Sequence, residues 1–469
     1  MRIAVLSIDE PGAAPSSLHA TGQEPFAHER AKLDGVASFL LDAALQRGAS
    51  DAVVRVSESD QLTVSVRNAR AQTLQRSGTQ SVALTVYNGA RKGSASSSDL
   101  SSAALTAALE AAWHIAQYSG ADVFAGPAEA GWLETAPPDL DLYHPWVLST
   151  DEAIELALRA ESAARDFGET IVNCNGASVV AHHGQFALAT SRGFRGGYRH
   201  SLHRLNCSII ARNAGGMQGS DWGIVRRKSS ELGAPERIGR RAAERAHAML
   251  DARRIATGMW PVLFEAPVAS SLIGALVDAA SGDLIYRRQS FLLDSLGQTV
   301  LAGHLRLSET PHELSGLASA PFDGEGVRTV ARDVVRDGVL NGYFLSGYSA
   351  RKLGMASTGF AGGPHNMNLT STLTRSDDDL TAMLRRLDRG LLVTNLLGQG
   401  VNLVTGDYSR GVAGFWVENG QIQHPVHEIT IAGNLRQMLQ GIVAVGADVH
   451  IRPIRTGSIL VDRMRVAGL

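Results

Sequence analysis

The chain has 469 residues, with 44 basic against 46 acidic side chains, a net charge of −2, 44% hydrophobic and 19% charged residues. That balance is ordinary for a globular protein and excludes a disordered chain; it also lacks the basic excess that an electrostatically driven nucleic-acid or anionic-membrane binder needs. Two cysteines, Cys174 and Cys207, cannot build a disulfide framework or a Cys-rich zinc site, and no apolar stretch is long enough to span a membrane, so a cytoplasmic protein is expected.

Residues 1–28, with Pro11, Pro15 and Ser16-Ser17, show little periodicity and predict a loose N-terminal arm; the apolar run from Ile3 is too short for a signal peptide. An α+β domain over 29–126 follows. Leu33, Val36, Leu40, Leu41 and Leu45 stand at helical spacing, and Gly48 closes the run. Residues 51–67 alternate in two short pieces, Val54 and Val56, then Leu62, Val64 and Val66, which predicts a hairpin-like pair with one wet face. A strand is expected at 82–86. The polar, Ser-rich stretch 91–99 leads into a helix over 100–118, with Ser98 or Asp99 as its cap. Pro127, Pro137, Pro138 and Pro145 mark a linker over 127–148.

The middle α+β region, 149–256, opens on Ser149-Thr-Asp-Glu152 at the start of a helix over 150–166. Strand-like runs at 170–180, 185–190 and 199–211 precede a helix over 235–255. His182-His183, beside Gly184, are expected at a solvated turn. The remainder, 257–469, is Gly-punctuated and β-rich, with a strand at 262–264, a helix at 268–280 and a hairpin signal at Glu418-Asn419-Gly420. Helices alternating with antiparallel-looking strands, without strict βαβ units, predict an α+β fold.

The chemistry is mostly negative. No two of the fifteen histidines are four or five apart, and none of the three His-Glu pairs is followed by a second His at zinc-protease spacing. The cysteines lie in apolar strand-like runs, where buried, unreactive thiols are expected. Ser349-Ala-Arg-Lys352 has the Ser-x-x-Lys spacing, but its companion motifs are absent. No nucleophile elbow or phosphate loop occurs. In Asp323-Gly-Glu325-Gly326 two carboxylates at i and i+2 would share one face of a strand and could bind a cation or an amine; the competing reading is a charged turn.

Several ordered segments together resemble the TldD/PmbA family, also called modulators of DNA gyrase, and within it the PmbA/TldE branch. They include Ser191-Arg-Gly193-Phe194, Pro321-Phe-Asp323-Gly-Glu325-Gly326, Tyr348-Ser-Ala-Arg351-Lys-Leu353 and Gly406-Asp-Tyr408-Ser-Arg410-Gly411. Val417-Glu-Asn-Gly420 and Ile429-Thr-Ile-Ala-Gly433-Asn-Leu435 continue the match, which runs from about residue 30 to the end. The resemblance implies a subunit of a heterodimeric cytosolic metalloprotease that acts on small unfolded peptides. In that family the TldD branch carries His-Glu-x-x-x-His on a helix and a later Cys as zinc ligands. Here the corresponding helix, Ser271-Leu-Ile-Gly-Ala-Leu-Val-Asp-Ala-Ala280, has no His and no Glu, and both cysteines precede residue 210.

The resemblance therefore implies a non-catalytic PmbA/TldE-type subunit with no catalytic residue, metal ligand or cofactor of its own, and zinc in a TldD-like partner. A homodimer is expected for the isolated chain, and the balanced charge and the lack of a long apolar stretch predict neither nucleic-acid nor membrane binding. Gly-rich segments permit close approach of an added peptide strand. The expected chamber-lining residues are Asp323, Glu325, Ser349, Arg351, Gly359, Gly362, His365 and Asn366, with Asn402, Asp407 and Arg410 from a second segment. Two other readings stay open: an independent hydrolase using Ser349/Lys352 or Asp323/Glu325, and a gyrase-modulating binding protein.

Overall fold

The computed structural model describes residues 25–468, so 1–24 of the expected arm lie outside it, as does residue 469. Strand β1 (Asp51–Arg67) alternates inward and outward over its whole length, where the sequence suggested two short pieces. The chain does not break at its polar centre because the inward polar residues there have partners. Glu58 accepts from the amide of Ala27 (2.7 Å) and from Gln185 Nε2 (2.8 Å). Asp60 accepts from Arg76 Nε and Nη2 at 3.1 and 3.3 Å. A buried carboxylate so paired costs far less than an unpaired one.

Among the described residues β1 lies inside a seven-stranded antiparallel sheet. Its order is β3 (Arg91–Ser97), β2 (Arg70–Asn88), β1, β4 (Ile171–Thr190), β6 (Arg199–Asn213), β7 (Gly216–Arg226), with β5 (Arg195–Gly196) beside β4. The Ser-rich 91–97 segment is thus an edge strand, stitched to β2 by pairs such as Thr85–Ser94 (2.9 Å). Helices α1 (Arg30–Gln46) and α2 (Ser102–Tyr118) cover one end of one face, packing Leu33, Leu40 and Leu109 on Val54, Val56 and Leu84. Ser101 caps α2 by accepting from the Ala104 amide, and Asp99 in turn accepts from Ser101. Helices α3 (Thr150–Arg165) and α4 (Pro235–Ala248) cover the other end of the same face. The full capping box of Ser149 and Glu152 starts α3. Helix α4 ends earlier than its sequence pattern suggested, with Asp251 turning the chain at φ 61°.

His183 is not at a solvated turn. It sits within β4, opposite Ser201 in register, and is 3% exposed. Its Nε2 accepts from the Trp146 amide (3.0 Å), and His203 Nε2–H donates to the His144 carbonyl (2.9 Å), so the 127–148 segment is pinned across this pair. Burial drives both imidazoles down to about 4.

In the C-terminal region β8 (Gly258–Phe264) is followed by α5 (Ala266–Ala279) and the short helices α6 (Gly282–Tyr286) and α7 (Gly347–Leu353). A second sheet orders β11 (Val339–Leu340), β10 (Arg332–Arg336), β9 (Leu305–Glu309), β12 (Met367–Ser371) and β17 (Ile454–Arg455). A third orders β15 (Gln421–Asn434), β14 (Asp407–Glu418), β13 (Gly390–Leu397), β8, β18 (Ile459–Ala467) and β16 (Ile442–Val445). β15 also pairs with β18, which closes five of these strands into a ring and removes their free edges. Val262-Leu263-Phe264 and Leu391-Leu392-Val393 are apolar on both faces because β8 and β13 run parallel between two cores. One core contains α5; the other contains α8 (Leu380–Leu387). Asn419 and Gly420 take the positive φ values, 53° and 68°, of the expected hairpin turn. No helix among the described residues is long and apolar enough to cross a membrane.

The α3–α4 contact is lined by alanines, and a Cβ at Gly239 would lie 1.8 Å from the Ala160 carbonyl oxygen. Gly239→Ala is expected to cost about 1–3 kcal/mol as the helices separate; an unchanged urea midpoint would refute the close approach. His183 and His203 titrate near 4 when folded, below the unfolded value of 6.5. As pH falls below about 6.5 the unfolded chain binds protons first, so stability is complete above that pH and is lost progressively down to about 4. Each residue accounts for at most about 3 kcal/mol over the window. Urea midpoints should fall from pH 7.5 to 4.5, and His203→Gln should flatten the slope by roughly one proton. A pH-independent midpoint would rule out neutral, buried imidazoles.

Candidate functional site

A strand of period two presents its second face opposite the helices. On that face Phe186 and Leu188 of β4 and Val53 of β1 receive Phe194, Phe322, Val327 and Leu133. Phe322 meets Phe194 and Phe186 edge-on, with ring centroids 4.7 and 6.1 Å apart. Beside this contact a cavity of about 280 Å³ lies between the sheet and two loops of the C-terminal region, 317–324 and 361–365. Arg55, Phe186, Tyr198 and Arg227 line it from the sheet side. Phe322, Asp323, Gly362 and His365 line it from the loops.

The loops are held by backbone-directed side chains. Asp323 Oδ1 accepts from the amides of Glu325 (2.8 Å) and Val327 (2.9 Å), and Oδ2 accepts from Ala361 (3.0 Å). Gly326 supplies a φ of 81° to the turn so formed. Asp323 and Glu325 therefore do not share a strand face. Glu325 Oε2 instead accepts from the Gly347 amide (2.7 Å) at the start of α7. Burial pushes both carboxyls up, and the Asp323 charge adds to the effect on Glu325.

Arg227 donates to the carbonyls of Gly316 (2.7 Å), Leu317 (3.0 Å) and Ser201 (3.2 Å), tying the first loop to the sheet. Asn366 accepts from the Ala318 amide and donates to Thr310 O and Ser319 Oγ. The backbone amide of His365 donates to Glu309 Oε1, and its Nδ1 lies 3.0 Å from the same oxygen. Burial would raise Glu309, but the His365 hydrogen bond and the Arg332 guanidinium (2.7 Å) hold its carboxyl below the usual range.

Of the residues singled out in the sequence, Asp323, Gly362 and His365 thus meet at the cavity, and Asn366 supports it. Others shape the scaffold. Arg351 donates to the carbonyls of Phe124, Gly126 and Pro127. Gly359 turns at φ 71°, with a Cβ there 2.6 Å from Arg328 O. Ser349 Oγ is buried 3.0 Å from Ser346 Oγ, while Lys352 Nζ lies 3.6 Å from Asp122, so the hydroxyl and the amine have separate partners. Asn402, Asp407 and Arg410 fold the 398–410 loop on itself, through Asn402 N–H to Asp407 O (2.9 Å) and Arg410 to Gly398 O (2.7 Å), and contribute nothing to this cavity's lining. Arg55, Tyr198 and Arg227 are among the lining residues that sequence reasoning missed.

Among the described residues no group of three His, Cys, Asp or Glu side chains converges to hold a metal ion. Helix α5 has eight of its fourteen residues buried and carries no His or Glu. Cys174 and Cys207 are buried free thiols in β4 and β6, and the Cys207 thiol is pushed up by its contact with Cys174 and by burial. The described residues do not fit a bound zinc.

Asp323→Asn replaces an acceptor of three N–H groups with one that presents its own donor to them. It is expected to cost about 2–3 kcal/mol and to speed proteolytic cutting within 317–327. Wild-type midpoints and cutting rates would show that the turn is held by something else.

Three family models match the chain in order: PmbA/TldA metallopeptidase domain 1 over residues 52–116, the central domain over 143–250 and the C-terminal domain over 257–468. The chain is 45% identical to Metalloprotease PmbA of Escherichia coli O157:H7 over 426 residues, 90% of this chain and 94% of that one. It is 44% identical to a Metalloprotease PmbA homolog of Haemophilus influenzae over 432 residues, 92% and 95% of the two chains. A Bacteroides thetaiotaomicron crystal structure, described as a modulator of DNA gyrase, superposes with a TM-score of 0.87 at 26% identity, covering 93% of this chain and 98% of that one. TldE from Thermococcus kodakarensis shares the fold with a TM-score of 0.81 at 19% identity, covering 92% and 100%. With matched domains running from residue 52 to 468 and relatives this similar along most of their length, the chain belongs to the PmbA/TldD metallopeptidase family, in its PmbA/TldE group.

Proposed function

We propose that this chain is a non-catalytic, metal-free subunit of a two-chain peptidase, completed by a TldD-like partner that carries the zinc. Helix α5 carries the reading: its buried face is Ala and branched aliphatic side chains, and zinc needs three strong donors besides water. The other cavities and clusters among the described residues supply no substitute donor set. The substrates are small unfolded peptides. Gly362 and Gly363, at φ 107° and 118°, form a cavity wall without side chains, and a Cβ on Gly363 would meet nothing within 4 Å. Such a wall admits a peptide backbone with little demand on its sequence. In this reading the chain's own residues bind and orient the peptide and exclude water from part of the chamber.

The test is reconstitution. The pure chain should carry substoichiometric zinc by elemental analysis and leave an unfolded peptide intact; adding a TldD-like chain should start hydrolysis. One tightly held zinc per pure chain, or hydrolysis without the partner, would overturn the proposal.

A further inference from the structure

We propose that the cavity between the sheet and loops 317–324 and 361–365 is a carboxylate subsite that takes the C-terminal carboxylate of a peptide, gripped by Arg55 with the Tyr198 hydroxyl beside it. The choice of a peptide as carrier rests on the function proposed above; the carboxylate chemistry does not.

The lining holds two guanidiniums and one acid. The acid forms no ion pair with either arginine among the described residues; both Asp323 oxygens accept backbone N–H groups instead. Arg227, only 6% exposed, spends its donors on three neutral carbonyls, and among the described residues it forms no ion pair. Arg55 goes further. Among the described residues its side chain makes no hydrogen bond and no ion pair; its guanidinium lies 3.9 Å from the Phe186 ring centroid. Tyr198, which lines the same cavity, has no hydrogen-bond partner for its hydroxyl among the described residues. Burial lowers both guanidiniums, and they in turn draw down the Tyr198 hydroxyl that burial raises, which places the three groups within one field.

An uncompensated buried charge is costly, and an anion relieves the cost. The free fork of Arg55 fits a planar two-oxygen group. A phosphate dianion would ask for more donors than one fork and one hydroxyl, and would bring its second charge toward Asp323. Phe186, Tyr198 and Phe322 add aromatic walls for an apolar terminal side chain. The bare Gly362-Gly363 wall lets the preceding backbone pass, which favours a chain end over an acidic side chain.

Isothermal titration of the pure chain with an N-acetylated pentapeptide ending in Phe tests this directly, as the free acid and as the C-terminal amide. The acid should bind at least ~10-fold tighter than the amide, the loss expected on removing one charge-assisted pair. Arg55→Gln should abolish that difference; its side chain makes no hydrogen bond or ion pair among the described residues, so the change removes only the contact with Phe186 and the variant should still unfold in one cooperative transition. Arg55→Lys, which keeps the charge but not the fork, should fall between. Equal binding of acid and amide, no binding of either, or an acid preference unchanged in Arg55→Gln would overturn the site. So would displacement of the peptide by inorganic phosphate at lower concentration than by acetate. An amidated peptide with an internal Glu that binds as tightly as the free acid would overturn the assignment to the chain end. The titration needs neither partner nor metal. If the acid preference holds while a TldD-like chain yields no hydrolysis, the subunit reading fails alone; in the opposite case only this site fails.

Discussion

Arg227 and Asp323 hold the cavity together, and both do so by bonding to backbone. Arg227 leaves the first sheet just after β7 and seizes the carbonyls of Gly316 and Leu317. Asp323 then gathers three amides from two loops and fixes the turn that follows. Main-chain partners cannot swing aside as a side-chain rotamer can, so the roof of the cavity is stiff. The same choice has an electrostatic result. A carbonyl satisfies a guanidinium N–H without cancelling its charge, whereas a carboxylate would do both. The element that builds the cavity also leaves it positive.

Helix α5 shows a related coupling in the C-terminal region. Its Leu272, Ile273, Leu276 and Val277 are buried between the strands of the ring and the second sheet. Each apolar side chain that makes it a good core element removes a position where a metal donor could stand. A histidine or glutamate there would need a metal or a hydrogen-bond network to offset its burial. The core packing and the lack of His and Glu are one property of the segment, and a metal site could be placed there only by rebuilding that core.

What was legible in the sequence was local. The Ser149 capping box, the Asn419-Gly420 turn, and the apolar runs of β8 and α5 each depend on a few adjacent residues, and each stands where the pattern placed it. The losses share a different cause. β1 looked broken because Glu58 and Asp60 interrupt its apolar alternation, and their partners Gln185 and Arg76 come from other strands. His183 looked solvated because Trp146, which caps its ring nitrogen, is 37 residues away. β7 mixes glycine and polar residues with no alternation, and pairs only because β6 offers an edge. The site divides the same way. Asp323, Gly362 and His365 stood out through unusual local composition. Arg55 sits in Val54-Arg55-Val56, where an alternating arginine reads as the wet face; loops more than 250 residues on make that face a cavity wall.

That wall depends on strand register. Arg55 pairs with Leu188, Glu58 with Gln185 and Asp60 with His183 across β1 and β4. The last two pairs point toward the helices and are buried; the first points toward the loops. Hydrophobic alternation alone would place Val54 and Val56 inward, but a strand rich in small and apolar residues, as β4 is from Ala177 to Ala189, could slide by two and keep its faces. The buried polar pairs forbid this, because a slide would separate Gln185 Nε2 from Glu58 Oε2 and leave that buried carboxylate oxygen without its donor. Polar residues in the core therefore set where, on the opposite face, Arg55 meets Phe186 and the cavity opens.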